Sequence, residues 1–284
     1  MRIPSEDSIN AKIKNLASEL GVGDTNRVRI VVALERLVAR LLTRNFLRDN
    51  MIFNGGFVML KTSDSDRFTR DLDAIIKKVS TEKLDKEVEK ALSTDLGDGF
   101  HFWDLSKEIM DMNSGYNGVR YSFFYKTGLA LEDLSKSDRY PRIHLDVSVD
   151  FSLGDPPAQL KLDSAIDLYD PISWSVYPHE YIIADKLHAL ISREGDSTRA
   201  KDIYDLSILL PKVSDFSQLN KAVVYIFNLL KTDVPNSLFD EVSGYDTTIL
   251  ENVWKKVQLN TDVKFKESWE RVLFELKRFD SEKR

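Results

Sequence analysis

The chain has 284 residues, of which 42% are hydrophobic and 30% are charged, a balance typical of a folded globular protein. It contains no cysteine, which excludes disulfides, zinc–thiolate sites and cysteine nucleophiles. Its formal net charge of −6 excludes a protein whose whole surface coats nucleic acid, although a local basic patch remains compatible with it.

The apolar segments of the chain are short. Residues 1–7 lack an apolar core of signal-peptide length, and no apolar run is long enough to cross a bilayer. We therefore expect a cytoplasmic protein with no membrane partner.

Two helices are predicted at the start of the chain, over residues 5–20 and 27–48. Arginines recur on one face of the second helix because steps of four and seven residues nearly complete whole helical turns. They are Arg29, Arg36, Arg40 and Arg44. One interpretation is a solvated face, in which they pair with Glu35 and Asp49 or face water. The other is a basic surface that binds RNA phosphates.

The next part of the chain is predicted to consist mainly of strands, with few helices. We predict strands over residues 51–53, 71–77 and 142–149, antiparallel strands within 100–126, and a weaker strand or connector over 160–168. Turn signals lie at Asn113-Ser114-Gly115 and at Asn117-Gly118. Ser80 is predicted to cap a helix that ends near Leu92.

The pattern becomes helical after Pro178. Helices are predicted over residues 179–193, 198–210, 216–230, 247–257 and 264–279. The fold class is therefore α+β, with a mixed half over residues 1–170 and a helical half over residues 171–284.

Asp71 and Asp73 begin the second predicted strand and point to the same face, because strand side chains alternate. Adjacent carboxylates repel unless a cation lies between them, and Mg²⁺ is the simplest such cation. Gly55 and Gly56 follow the first strand and offer backbone N–H groups to a phosphate. The alternative is an exposed polar loop that happens to contain two aspartates.

Three further charged residues stand out. Asp146 lies on the polar face of the 142–149 strand, where it is either a functional carboxylate or an ordinary exposed residue. Lys186 lies within the apolar stripe of its helix and must reach solvent or an anion. Asp202 likewise lies within the apolar stripe of the next predicted helix, and Arg199 aligns with the apolar residues of that helix. The anion for Lys186 is either a triphosphate or Asp202 itself, in a structural ion pair.

The order of these motifs resembles that of a known family. Gly55-Gly56 is followed by Arg67-Phe68-Thr69-Arg70-Asp71-Leu72-Asp73, then by Glu180-Tyr181 with Lys186-Leu187, and then by an Arg-x-Lys-Asp-x-x-Asp-Leu run from Arg199 to Leu206. This series is similar to that of the AbiEii/MenT toxin nucleotidyltransferases, a group of the polymerase-β-like nucleotidyltransferase superfamily.

The resemblance implies a fold, a reaction and partners. It implies a polymerase-β-like core and a helical domain that closes the nucleotide cleft. It implies transfer of a nucleoside monophosphate from a nucleoside triphosphate (NTP) to an RNA acceptor, the tRNA 3′ end, with Mg²⁺ as cofactor and a cognate antitoxin as partner. Blocked translation would be the consequence.

The same resemblance assigns roles to residues. Asp71, Asp73 and Asp146 would bind metal, and these three with Lys186 and Asp202 would be catalytic. The nucleotide would contact a set made of Gly55, Gly56, Thr69, Lys186 and Arg199. Thr69 also matches a hydroxyl that is phosphorylated by the antitoxin in some relatives. The open alternatives are transfer to a protein hydroxyl or a small molecule, and a regulatory module that binds a nucleotide without catalysis.

Overall fold

A mixed sheet forms the centre of the first half of the chain in a computed structural model that describes residues 3–77, 79–112, 116–128, 140–149, 153–194, 196–257 and 259–283. Seven strands are present within these ranges: β1 Met51–Asn54, β2 Asp71–Ile76, β3 Phe100–Met112, β4 Tyr116–Thr127, β5 Arg142–Val149, β6 Ala158–Leu162 and β7 Ile172–Val176. Their order across the sheet is β3-β4-β5-β2-β1-β7-β6. The predicted α+β class is therefore confirmed.

The chain divides into two units. The first comprises Met1–Val58, Thr69–Leu153 and Pro157–Val176, and it contains the whole sheet. The second comprises Met59–Phe68, Gly154–Pro156 and Tyr177–Arg284. The division after Val176, together with two short segments from earlier in the chain, differs from the single boundary at residue 170 that the sequence predicted.

Some helices of the first unit begin directly after a residue whose side chain caps them, including Ser80 as predicted. The helices of this unit are α1 Glu6–Glu19, α2 Thr25–Thr43, α3 Asn45–Asn50 and α5 Thr81–Leu92, while α4 Gly55–Thr62 begins in the first unit and ends in the second. Ser5, Asp24 and Ser80 each accept a hydrogen bond from a backbone N–H of the first turn. Local capping chemistry thus sets the starts of α1, α2 and α5, whereas the residue before α3 makes no capping side-chain hydrogen bond.

The predicted single helix over residues 27–48 is two helices. Arg44 separates α2 from α3 with an extended backbone, at φ −88° and ψ 113°. Thr43 Oγ1 donates to the carbonyl of Arg40 at 2.7 Å, a side-chain bond of the kind that competes with helical hydrogen bonding. The periodicity of the apolar residues continues through this break, which is why the sequence did not reveal it.

Two further strand predictions need correction. Asn117-Gly118 lies within β4 rather than in a turn, and Asn113-Ser114-Gly115 falls outside the described residues. Strand β7 was not predicted. It has only five residues and pairs in parallel with β1, so its partner is more than a hundred residues away in the sequence.

The second unit is helical over its long C-terminal segment. Its helices are α6 His179–Ser192, α7 Ala200–Leu209, α8 Phe216–Leu229, α9 Leu238–Ser243, α10 Thr248–Val253 and α11 Phe265–Glu282. Leu187, Leu206 and Ile226 are fully buried in its core. No helix in the described ranges is both long and apolar enough to cross a membrane.

Candidate functional site

The sheet register brings the predicted carboxylates together on one face. Strands β2 and β5 are parallel, with Asp71 opposite His144 and Asp73 opposite Asp146. Directly opposed residues on neighbouring strands share a face. The other face is apolar, because Leu72, Leu145 and Val147 are fully buried.

The polar row extends over two more strands. Asn54 on β1 lies opposite Asp73, and Arg120 on β4 lies opposite Asp146. Four neighbouring strands thus present the row Asn54, Asp73, Asp146, Arg120. Asn54 Oδ1 is buried and has no hydrogen-bond partner within the described part of the chain. This oxygen is therefore available to coordinate a cation or to accept a hydrogen bond from a ligand.

Arg120 holds Asp146 in a two-point ion pair. Arg120 Nε donates to Asp146 Oδ1 at 2.8 Å, and Nη2 donates to Oδ2 at 2.7 Å. This hydrogen bonding raises the pKa of Arg120, with a further contribution from the negative charge of Asp71. Arg120 lies outside every motif of the sequence and was not predicted as a site residue. Its alternation with Val119 and Tyr121 places it on the polar face, but only the register identifies Asp146 as its partner.

The ion pair between Arg120 and Asp146 distinguishes Asp146 from the other two predicted metal ligands. No group of three carboxylate or histidine side chains converges on one point among the residues that the structure describes. Both oxygens of Asp146 accept from Arg120, whereas Asp71 and Asp73 are adjacent on one face of β2. Two carboxylates fit a Mg²⁺ ion, which completes its shell with water and phosphate oxygens. A metal-binding role for Asp146 stays a prediction.

Gly55 lies against Asp73. Its φ of +71° is in the left-handed region, and a Cβ placed on it would be 2.1 Å from Asp73 Oδ2. Only glycine fits at this position, because any side chain would overlap the carboxylate. The backbone at the start of α4 therefore comes directly against the Asp73 carboxylate.

Thr69 is buried next to the carboxylate pair. Its hydroxyl donates to the backbone carbonyl of Asp71 at 3.2 Å and accepts from the N–H of the same residue at 3.3 Å. These bonds fix the backbone where β2 begins. Contact of Thr69 with a nucleotide, or its modification, stays a prediction.

The second unit contains a separate buried ion cluster around Lys186. Lys186 Nζ lies 3.1 Å from Asp202 Oδ1 and 2.5 Å from Asp205 Oδ2. Arg67 binds Asp205 through Nε at 2.7 Å and Nη2 at 2.9 Å, and Arg199 Nη1 lies 2.8 Å from Asp202 Oδ2. Each of the two carboxylates thus has two cationic partners, in the interior of this unit.

In this cluster the opposite charges of neighbouring residues affect the pKa values more than burial does. Burial opposes the charge of Lys186, but Asp205 and Asp202 offset it and raise the pKa of the lysine. Burial likewise opposes ionisation of Asp205, yet Lys186 and Arg67 hold its pKa below the usual value. The Lys186–Asp202 ion pair considered as an alternative is thus present, and contact of Lys186 or Arg199 with a nucleotide stays a prediction.

The predicted basic surface on α2 is wrong for its central residues. Arg36 and Arg40 are 7% and 1% exposed, and both bind the buried carboxylate of Asp98. Burial opposes the charge of Asp98, but these arginines hold its pKa below the usual value. Such buried guanidinium groups are not accessible to RNA phosphates.

The outer members of the predicted surface also have partners. Arg44 Nε binds Glu87 Oε2 at 2.9 Å, and Arg29 Nη2 donates to Asn10 Oδ1 at 2.9 Å. The carboxylate of Glu35 accepts from the N–H of Ala165 at 3.0 Å. Arg36 and Arg40 therefore serve helix docking, whereas RNA contact by Arg29 and Arg44 stays a prediction.

Comparison with known proteins gives a consistent assignment. A family model described as nucleotidyl transferase AbiEii toxin, type IV toxin–antitoxin system, matches residues 36–281. No curated protein sequence is significantly similar to the chain.

Two solved structures have the same fold. JHP933 from Helicobacter pylori superposes with a TM-score of 0.52 at 18% identity, covering 89% of this chain and 93% of that protein. MenT4, a nucleotidyltransferase toxin from Mycobacterium tuberculosis, gives 0.54 at 16% identity, covering 96% and 99%. Because the family model spans most of the chain, the protein belongs to the AbiEii family of nucleotidyltransferase toxins of type IV toxin–antitoxin systems.

Proposed function

We propose that the protein transfers a nucleoside monophosphate from an NTP to an RNA acceptor, the 3′ end of tRNA, and releases pyrophosphate. Family membership supports the transfer chemistry. The acceptor rests on the resemblance to the AbiEii/MenT toxins alone. A cognate antitoxin is the partner that a toxin–antitoxin system requires.

One observation carries this proposal: Asp71 and Asp73 share a face of β2, and Gly55 lies against Asp73. These carboxylates would hold Mg²⁺, which supplies a positive charge that orients an NTP and neutralises charge as the phosphate is displaced. The orphaned oxygen of Asn54 lies in the same row and adds an oxygen donor. Oxygen donors of this kind match a hard divalent cation.

Arg120, Asp146 and the two glycines have further roles in this proposal. Arg120 holds Asp146 in a fixed orientation on the strand next to β2. The N–H groups at Gly55 and Gly56 begin an eight-residue helix and are suited to a phosphate oxygen. In this proposal Asp146 accepts the proton of the attacking hydroxyl on a lone pair that the hydrogen bonds from Arg120 leave unused.

The decisive experiment tests transfer directly. The protein is incubated with each labelled NTP, Mg²⁺ and total RNA, and label in RNA is measured on denaturing gels. We expect label in the tRNA band, and its loss in Asp71→Asn and Asp73→Asn. Thermal stability should hold or rise in both variants, because removing one carboxylate relieves repulsion.

Asp167→Asn serves as the matched control, because Asp167 is a fully exposed aspartate of the same unit. It should retain full activity. A chelator should stop transfer by the wild-type protein, and added Mg²⁺ should restore it. Full activity in either strand variant would refute the metal assignment. Label in protein rather than in RNA would support the alternative acceptor.

A further inference from the structure

A hollow on the second unit has the chemical character of a nucleic-acid subsite. Its volume is about 400 Å³, within the range of about 300–1,000 Å³ found for small-ligand sites. The lining is mixed, with cationic and polar groups beside apolar ones. It consists of Arg67, Phe68, Thr198, Ala200, Lys201, Val253, Lys256 and Val257.

The charges of the hollow have one sign. It is lined by three cationic residues and no carboxylate, in a protein whose net charge is −6. Arg67 is bound to Asp205, so its position is fixed by the ion cluster. Lys201 and Lys256 are exposed, and neither forms an ion pair with any residue in the described ranges. Two lysine charges are therefore available to an anion.

The apolar residues point to the kind of anion. Phe68, Val253 and Val257 contribute uncharged surface beside the lysines. Sites for single-stranded nucleic acid combine positive charge for the backbone with apolar or aromatic surface for the bases. A free phosphate would use only the first of these features, whereas a nucleotide unit of a strand would use both.

We propose that this hollow binds a nucleotide unit of the single-stranded RNA acceptor, with Lys256 and Lys201 contacting backbone phosphates. This inference rests on the proposed function for the identity of the acceptor. It replaces Arg36 and Arg40 of α2, which are buried, as the location of RNA contact.

Lys256 is the informative residue for a test, because it lies outside the sequence motifs that resemble the family. Lys255 provides a matched control, since it is exposed on the same short helical turn, Trp254–Lys256, and does not line the hollow. Reversing either charge changes the net charge of the protein equally. A difference between the two variants therefore reports on the hollow and not on the overall field.

The experiment measures binding of a fluorescein-labelled single-stranded RNA by anisotropy, without NTP, over a range of salt concentrations. We expect Lys256→Glu to weaken binding roughly tenfold and to lower the salt slope by about 0.7, as for one lost phosphate contact on a single strand. Lys256→Gln should show a smaller loss, and Lys255→Glu should stay within about twofold of wild type. Thermal melting of each variant confirms that the fold is retained.

The inference would be overturned by an absence of RNA binding in the wild-type protein, by equal losses for Lys255→Glu and Lys256→Glu, or by equal affinity for duplex and single-stranded RNA. Failure of the proposed function is distinguishable, because binding is measured without turnover. RNA binding that depends on Lys256, in a protein that transfers no nucleotide to RNA, would refute the reaction and leave the hollow as an RNA site. Transfer to RNA that is unaffected by Lys256→Glu would refute the hollow alone.

Discussion

The pKa of a carboxyl group in the interior of this protein depends on whether a partner of opposite charge is close. Burial raises the pKa of Asp185 to about 7, and the neighbouring charge of Lys186 only partly opposes this. Asp205, in contrast, has two cationic partners and a lowered pKa despite its complete burial. Two carboxylates of the same unit thus have opposite protonation behaviour for a reason that is visible in their contacts.

Asp185 should make stability depend on pH. Its pKa in the unfolded chain is about 3.9, so between about pH 4 and pH 7 the folded state retains a proton that the unfolded state has lost. Stability from this group therefore falls as pH rises through that window. We expect Asp185→Asn to raise the free energy of unfolding at about pH 8 by about 1–4 kcal/mol, with little change near pH 4.

Urea denaturation at both pH values checks this prediction. Asp233→Asn is the control, because Asp233 is an exposed aspartate of the same unit, and it should have no such pH-dependent effect. An Asp185→Asn variant whose gain in stability is the same at both pH values would contradict the assigned cause.

Elements come together through close backbone approach and through buried charge. Helix α2 docks through Arg36 and Arg40, which share the carboxylate of Asp98, and Arg40 also donates to the carbonyl of Phe100 on β3. Helix α4 begins against β2 because Gly55 has no side chain. These contacts fix the position of each helix to a particular point on the sheet.

Gly55→Ala should therefore damage the candidate site more than ordinary strain does. Gly21 is the matched control: its φ of +64° is similarly left-handed, but an added Cβ would have nothing within 4 Å. Each alanine should cost about 1–2 kcal/mol for the backbone conformation. Only Gly55→Ala should also displace Asp73, and so weaken Mn²⁺ binding followed by electron paramagnetic resonance. Equal Mn²⁺ affinity in the two variants would contradict the close approach.

At the scale of the whole molecule, neither unit is a continuous piece of chain. The second unit takes residues 59–68 from the middle of the first. Arg67 from this segment binds the buried Asp205, and Asp66 accepts hydrogen bonds from Tyr204 and from the N–H of Thr261. The long C-terminal segment therefore depends on ten residues that the sequence places far away.

A fragment of residues 177–284 should consequently fail to fold cooperatively. Without Arg67, Asp205 retains Lys186 as its cationic partner, and an incompletely paired buried charge is costly, at about 3–5 kcal/mol. Fusing residues 59–68 to the fragment through a glycine–serine linker should restore a cooperative thermal transition. The same fusion with Asp66→Ala and Arg67→Ala should not. A sharp transition in the bare fragment, followed by circular dichroism, would show that the segment is dispensable.

The sequence by itself determined the features that depend on near neighbours. Caps at Ser5, Asp24 and Ser80, the alternation in β5, and the pairing of Asp71 with Asp73 on one face all follow from local backbone geometry. The ordered motifs also led to the family. None of these features requires knowing which distant residue is adjacent.

Tertiary structure decided the features that depend on register and burial. Parallel pairing of β2 with β5 placed Asp146 opposite Asp73. Antiparallel pairing of β4 with β5 placed Arg120 opposite Asp146. Arg36 and Arg40 face inward because Asp98, more than fifty residues away, supplies a buried carboxylate. A helical period shows that side chains share a face, but whether that face meets water or a counter-charge is set by the elements packed against it.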